Sequence, residues 1–563
     1  MAFHPFAHLR RRMAMVGTVV VMASGGVGLS SATASASVPD VGQLRVIAGT
    51  GGSGPATPGP ASNSMLDEPF GVALDGSGNL YVADALNHQV DRVSPAGTLT
   101  VFAGTGHQGT TVPGPATRSP LYYPDGVAVS RTGAVFIADA GNHVIDKVSP
   151  GGTLSVVAGT GSPGPSTAGP ATRSDLNYPY GLAIDASGDV FIADTFNNEV
   201  DEVSPGGTLS VVAGTGSPGG VTPGPAVRSE RDHPTGVAMA ANGSLYVSDT
   251  FTSQIVKVSR AGVLSVVAGT GRGGRPTPGP ATRSDLEYCY AVAVDATGNV
   301  YIADTFNHVV EKVSPSGVLS VIAGTGAPGT PTVGPATQRN LGEPDGVVVD
   351  GSGDVYISDY ATSEVVEVVA PVLGIAAPSH GGYVEVTAAG GVVARGTAFH
   401  GSALPPRGVL ASPVAGIAAV PDGGYLLATA AGNVYAYGTA LHGSPHASHL
   451  HLGSPVTGIA AVPGGGYLLV TTGGAIYHYG TAFHGSPAGH HTHLASPVTG
   501  IAATAGGGYL VVTGGGRVYA FGTPLRGSPA ATGVTLTAPV VGIAATSHGG
   551  YDVATADGTV YRY

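Results

Sequence analysis

Tryptophan is absent from this chain, cysteine occurs once, and only 10% of the 563 residues are charged. A single cysteine permits no internal disulfide, so stability has to come from packing. With no indoles and few ion pairs, that packing falls to aliphatic side chains and 23 tyrosines. Basic residues are scarce as well: 23 Lys and Arg face 35 Asp and Glu, for a net charge of −12. Nucleic acid is thereby excluded as a partner, since gripping phosphates needs local positive charge. Beyond the N-terminal segment, no apolar run reaches the roughly 20 residues of a membrane span.

The chain is instead rich in turn formers, with 92 Gly and 43 Pro, and these recur at fixed offsets between short apolar runs. Asp84, Asp139, Asp194, Asp249, Asp304 and Asp359 are spaced 55 residues apart, as are Gly49, Gly104, Gly159, Gly214, Gly269 and Gly324. A fixed period of this length means stacked supersecondary units, none able to bury its apolar face alone. One unit reads Pro179-Tyr180-Gly181-Leu182-Ala183-Ile184, a turn at Gly188, Val190-Phe191-Ile192-Ala193-Asp194, then runs at 199–203 and 209–213. Four β-prone runs joined by Gly or Pro-Gly turns predict one four-stranded propeller blade. Glycines at 78, 133, 188, 243, 298 and 353 suit turn positions needing positive φ. Runs one to three occur six times, but the first copy of run four, at 44–48, precedes every complete unit. The N-terminal strand is therefore expected to complete the sixth blade and close the ring. Small residues such as Gly126, Ala128, Gly181, Ala183, Gly236 and Ala238 are expected where the blades converge, with Ala291 a departure.

Residues 1–36 read as an export signal: Arg10-Arg11-Arg12, a glycine-broken apolar stretch, then Ala34-Ser35-Ala36. An uncleaved anchor is the alternative. Cleavage removes three arginines and no acids, taking the net charge from −12 to −15. Cys289 stands where the other units have Pro69, Pro124, Pro179, Pro234 and Pro344, and reads as a small buried apolar substitute.

Segments such as Pro124-Asp125-Gly126-Val127-Ala128-Val129 and Ala138-Asp139-Ala140-Gly141-Asn142-His143-Val144 resemble NHL repeats. The resemblance covers about 44–369 and recurs in all six units. It implies a propeller used mostly as a binding scaffold, with a few enzymatic relatives. After Val369 the period becomes 42, with Gly-Ile-Ala from Gly374, Gly416, Gly458, Gly500 and Gly542, and Gly-Gly-Tyr at Tyr383, Tyr425, Tyr467, Tyr509 and Tyr551. These units are similar to Gly-Gly-Tyr repeats of secreted actinobacterial envelope proteins, with Leu or Val replacing a Trp of that pattern. A five-bladed propeller is the first expectation for them, an open or solenoid-like stack the second. The domains are thus 1–36 signal, 37–370 six-bladed propeller and 371–563 second β-repeat domain, in an all-β protein.

Candidate sites lie in the inter-blade loops, about 18 residues long between Gly106 and Pro124; such lengths are usually functional or disordered. They carry Arg118, Arg173, Arg228 and Arg283 at the 55-residue step, expected on the same face as the Asp84-type turns. The arginines either bridge loops or form a ring of guanidinium forks that grips carboxylates or phosphates. The Asp series, with Asn87, Asn142, Asn197 and Asn307, reads as Asx-type turn chemistry. His88, His143 and His308 share one turn position and are weak zinc candidates. Glu230-Arg231-Asp232-His233 is a polar cluster unique to one blade. In the second array, His446, His449, His451, His490, His491 and His493 read as adventitious metal ligands. His400, His442 and His484 recur by period, become Arg526, and read as structural.

No catalytic residue and no cofactor are expected. The functional expectation is an exported binding scaffold, secreted or held at the cell envelope. It would recognise a protein, peptide or glycan, anionic if the arginines hold it. The rival is a metal-assisted lyase or hydrolase using the axial cavity.

Overall fold

The computed structural model describes residues 42–370 without a break. Beyond them it describes 372–376, 383–387, 392–395, 412–420, 424–448, 450–463, 465–489, 494–536, 538–546, 550–555 and 559–563. The expected signal at 1–36 and His400, His449, His490, His491 and His493 lie outside these residues. The chain divides into two compact units: the first ends at Val368, and the second takes Val369 onward together with Asp295–Asn299 and Val349–Asp354. Among the described residues the only helices are three-residue 3-10 turns, and no helix is long and apolar enough to cross a membrane.

The first unit contains six antiparallel sheets. Blades are numbered here by their innermost strands: Pro69–Leu74, Pro124–Val129, Pro179–Ile184, Pro234–Met239, Cys289–Val294 and Pro344–Val349. In blade three, Pro179–Ile184 pairs with Val190–Asp194, that strand with Glu199–Val203, and Glu199–Val203 with Thr208–Gly214. The turn at Gly188 has φ +91°, a backbone angle that costs glycine nothing.

Each sheet has five strands where four are expected. The extra one is a Gly-Pro pair from the inter-blade loop, such as Gly169–Pro170 beside Leu209 and Thr208. Proline lacks an N–H, so it can sit only at an edge, where it also blocks further strand addition. Blade six runs, from outer edge to axis, Gly334–Pro335, Gln43–Ala48, Glu364–Val369, Val355–Asp359 and Pro344–Val349. The N-terminal strand therefore does supply the fourth strand of that blade. Ser358 Oγ then donates to the Phe70 carbonyl, joining blade six to blade one.

Core clusters lie between neighbouring blades. Ala73, Tyr81, Ala83 and Val90 of blade one, for example, pack against Val127, Ile137 and Leu154 of blade two. At the axis the backbones themselves touch. A Cβ on Gly71 would lie 2.6 Å from the Asp125 carbonyl oxygen, and one on Gly126 would overlap that of Tyr180. The small residues expected near the axis are thus required by backbone approach between adjacent inner strands.

The second unit contains, among the described residues, five three-stranded sheets rather than four-stranded ones. Each Gly-Gly-Tyr tyrosine opens a middle strand, and Tyr425, Tyr467, Tyr509 and Tyr551 are essentially buried. The tyrosine hydroxyl reaches back to the preceding connection: Tyr509 donates to the Gly485 carbonyl at 2.6 Å and accepts from the His484 N–H at 3.0 Å. Arg526 N–H donates to Tyr551 in the same way, at 3.3 Å. His484 and Arg526 therefore share a position because its backbone, not its side chain, makes the repeated bond.

Candidate functional site

Columns that repeat in every blade prove to be joints. Asp139 Oδ1 accepts the Tyr122 N–H at 2.7 Å and its Oδ2 accepts Asn142 Nδ2 at 2.7 Å, while Asn142 also donates to the Gly109 carbonyl at 2.8 Å. The set repeats at Asp84 with Asn87, Asp194 with Asn197, and Asp304 with Asn307. Each Asp clamps the incoming loop to the turn between second and third strands. A second buried acid on the third strand faces the clamp in four blades: Asp91, Asp146, Asp201 and Glu311. Thr111 Oγ1 lies 2.8 Å from Asp139 Oδ2 and 3.0 Å from Asp146 Oδ2, so the two carboxyls are neighbours. Burial pushes Asp139 up to about 7. It raises Asp146 well above the carboxylate range too, with the Asp139 charge adding to it. One proton shared within each pair removes a like-charge repulsion that burial would otherwise magnify.

Blade four solves the same problem differently, and this corrects the reading of Arg231. Arg231 occupies the column filled by Leu66, Leu121, Leu176, Leu286 and Leu341, and is fully buried. Its Nη1 lies 3.5 Å from Asp249 Oδ2, and the third-strand acid is replaced by Val256. The guanidinium lowers Asp249, but burial outweighs it and holds that carboxyl up at about 7, so Arg231 offsets charge inside the blade and is not open to a ligand. Arg231→Leu is expected to destabilise the protein by roughly 3 kcal/mol, because removing one partner strands a buried charge. Adding Val256→Asp, which rebuilds the acid pair of the other blades, is expected to recover most of that loss at pH 5. Chemical denaturation of the single and double variants checks both; equal loss in the two would refute the exchange. Of the remaining residues in the cluster, Glu230 is exposed, and Asp232 Oδ1 lies 2.8 Å from His233 Nδ1 on the loop face.

The histidines are ties between blades. His88 Nδ1 accepts the Tyr123 N–H of the next blade at 3.4 Å, and His143 Nδ1 accepts that of Tyr178 at 3.2 Å. His308 Nδ1 meets the Gly342 carbonyl, and Asn198 Oδ1 plays the same part toward His233 N–H at 3.2 Å. All sit at positive φ, from 53° to 56°, to aim the side chain across the gap. Among the described residues no group of three or more His, Cys, Asp or Glu could hold a metal ion. Cys289 is buried, and burial pushes its thiol far up, with Asp304 and Glu311 adding to the shift.

The four repeated arginines lie elsewhere than expected. Each ends a 3-10 turn at the outer edge of its sheet, Ala116–Arg118, Ala171–Arg173, Ala226–Arg228 and Ala281–Arg283. The Ala116 N–H donates to the Gly152 carbonyl at 2.9 Å, and Gly152 belongs to the turn between third and fourth strands. That turn lies at the opposite end of the blade from Asp139. The arginines are exposed and have no ion-pair partner among the described residues, so they neither bridge loops nor ring the axis.

One column that the repeats do not share lies at the axial mouth. The second residue of the innermost strand is Phe70, Asp125, Tyr180, Thr235, Tyr290 and Asp345 in turn, and these line an axial cavity of about 90 Å³. Asp125 and Asp345 are 3% and 2% exposed. Two residues earlier stand Glu68, Tyr123, Tyr178, His233, Tyr288 and Glu343, all but Glu343 at a positive φ of 50–57°. Blades six, one and two thus contribute four acids around the mouth. Blades two to five contribute a ladder of edge-on rings: His143–Tyr178 at 4.6 Å, Tyr178–Phe196 at 5.3 Å, Phe196–His233 at 5.1 Å and His233–Phe251 at 4.5 Å. It continues through Tyr288 to Phe306, at 5.4 and 5.1 Å. Tyr178, Phe196, Phe251, Tyr288 and Phe306 are partly exposed. This column falls outside the repeated motifs and outside the irregular Glu230-Arg231-Asp232-His233 cluster. Its signal was disagreement among aligned repeats immediately after the conserved proline.

No protein-family model matches the chain. It is 28% identical over 286 residues to NHL repeat-containing protein 2 of Homo sapiens, covering 44% of this chain and 39% of that protein. To teneurin-4 of Mus musculus it is 26% identical over 357 residues, covering 54% of this chain and 12% of the relative. The chain thus spans less than half the length of either. A protein of unknown function from Bacteroides thetaiotaomicron aligns with a TM-score of 0.46 at 15% identity, over 58% of this chain and 75% of its own. The sequence relatives support an NHL β-propeller.

Proposed function

We propose that this NHL-type β-propeller is an exported binding scaffold, secreted or held at the cell envelope, that receives a protein, peptide or glycan at its axial mouth. One observation carries the reading. The repeats agree where they build a blade and differ where six blades meet at the mouth. Variation around this ring lets a symmetric frame present a singular surface, which is what recognition of one partner needs. Export rests on the arginine-led apolar segment at 1–36 and its Ala34-Ser35-Ala36 end.

Because the chain has no tryptophan, Phe70→Trp places a single reporter in the cavity wall. Peptide and glycan panels titrated into this variant are expected to yield a ligand that shifts its emission saturably. A ligand that leaves the emission unchanged, and whose binding is lost when Arg118, Arg173, Arg228 and Arg283 become Gln, would move the site to the outer wall.

A further inference from the structure

We propose that the first unit carries a second binding site, at the end opposite the axial mouth, for a small hydroxylated acid: a sugar bearing a carboxylate or a phosphate. This site and the mouth are independent of one another.

The innermost strands run from the mouth to turns at the far end. Three of these turns, in blades two, three and four, enclose a cavity of about 290 Å³. That is close to the roughly 300 Å³ at which sites for whole small molecules begin. Val129, Ile184 and Met239, the half-buried last residues of the three strands, supply its apolar lining. Arg131, Asp185, Ser187 and Arg260 supply polar groups.

Both arginines depart from the repeat. Arg131 stands where the other blades have Gly76, Ala186, Ala241, Ala296 and Gly351. Arg260 stands where blades one, two, three and five have Pro95, Pro150, Pro205 and Pro315. The same two blades lack the aspartate that opens this turn elsewhere: Asp75, Asp185, Asp295 and Asp350 give way to Ser130 in blade two and Ala240 in blade four. Blades two and four thus each lose a negative charge and gain a positive one, on the two sides of blade three. Packing does not require the exchange. A Cβ on Gly243 would lie 2.8 Å from Arg260 Cδ, but in blade one Pro95 covers Gly78 in the same way, at 3.4 Å. Arg131 and Arg260 are exposed, and neither has an ion-pair partner among the described residues.

Two guanidiniums against one lining carboxylate leave the cavity positive, on a chain whose net charge is −12. The guanidinium fork matches the oxygens of a carboxylate or a phosphate. Asp185 then selects the rest of the ligand. Its Oδ1 accepts the Ser187 and Asp189 N–H groups at 2.7 and 3.0 Å. In blades one and five the matching Oδ2 accepts an amide from Asn79 or Asn299, at 2.8 and 2.7 Å, whereas blade three has Asp189 at that position. Asp185 Oδ2 therefore remains an acceptor for a ligand hydroxyl. A bare anion would meet repulsion from Asp185; an acid with hydroxyls beside it suits both the arginines and the aspartate.

The test is calorimetric titration of the full chain with glucuronate, glucose 6-phosphate, glucose and inorganic phosphate. One or both of the acidic sugars are expected to bind, and which one does tells whether the carboxylate or the phosphoryl group is preferred. Glucose and inorganic phosphate are each expected to bind at least about 10-fold more weakly, since each lacks one half of the recognition. Arg131→Ala and Arg260→Pro install residues that other blades carry at these positions, so melting should stay at the parent value. Each should weaken the acidic sugar by at least about 10-fold, as loss of a charged hydrogen bond implies. Arg260→Gln replaces the proline variant if that one melts lower. The acidic sugar is expected to leave the emission of Phe70→Trp unchanged. Undiminished affinity in the folded arginine variants, equal binding of glucose or of inorganic phosphate, a shift of the axial tryptophan, or no binding of either acidic sugar at about 10 mM would each overturn the proposal. None of these results except the tryptophan shift bears on the axial mouth.

Discussion

A chain shortened to begin at residue 50 is expected to lose the cooperative folding of its first unit. The deletion removes the strand Gln43–Ala48, the fourth strand of blade six, from between Glu364–Val369 and Gly334–Pro335. Leu44 and Ala48 are both fully buried, Arg45 pairs with Glu367, and the Ala336 N–H donates to the Gly42 carbonyl at 2.9 Å. Without that strand the ring is held at its closing blade by side-chain contacts alone, and two strands face water with unpaired ladders. The expected loss is on the order of the unit's whole stability, about 5–15 kcal/mol, because a ring that opens exposes two blade faces at once. Guanidinium melts of chains starting at residues 37 and 50, followed by tyrosine emission, check this. A synthetic peptide spanning 40–50 should restore a cooperative transition to the shorter chain. Near-equal midpoints for the two chains would show that closure does not depend on the N-terminal strand.

The second large effect concerns pH. Burial pushes Asp91 up to about 6, and Asp139, Asp201 and Asp304 up to about 7. A raised carboxyl holds in the folded chain a proton that the unfolded chain releases near pH 4. Stability is therefore full below that pH, falls as pH rises through about 4–7, and levels off above it. His88 and His143 act in the opposite sense, since burial lowers both and favours their neutral forms. Two histidines do not offset four acid pairs. The melting temperature is expected to be at least about 10 °C lower at pH 8 than at pH 5, as several kcal/mol imply for a unit of this size. Replacing Asp91, Asp146 and Asp201 by Asn and Glu311 by Gln should raise melting at pH 8 and flatten the profile. An unchanged slope in that variant would dismiss the shared protons.

Much of this architecture is legible in order along the chain. The 55-residue step, the Gly and Pro-Gly turns and the displaced first copy of the fourth run specify hairpins, their number and how the sixth blade is completed. These follow from local rules, because turn chemistry and strand alternation act between near neighbours. Gly126 reads as an axial residue for the same reason: its column is glycine in five blades of six and alanine in the other.

Other features depend on which columns meet across blades. Arg231 belongs to a polar cluster unique to one blade, yet it fills a leucine column and answers Val256, 25 residues away. Arg118 and its equivalents share a loop with residues of the axial mouth, but the loop first runs along the outer edge beside Gly152, so loop membership said nothing about face. The axial ring was invisible for the converse reason. Phe70, Asp125, Tyr180, Thr235, Tyr290 and Asp345 lie 55 residues apart and share no chemistry, so no motif marks them.

The sequence by itself determined the repeats, the strands and the turn that ends each one, all through short-range backbone preference and burial periodicity. Only the tertiary structure decided what the repeats converge on. Convergence brings together side chains that are remote along the chain, and burial then decides whether an ionisable group becomes a joint, a held proton or part of a mouth.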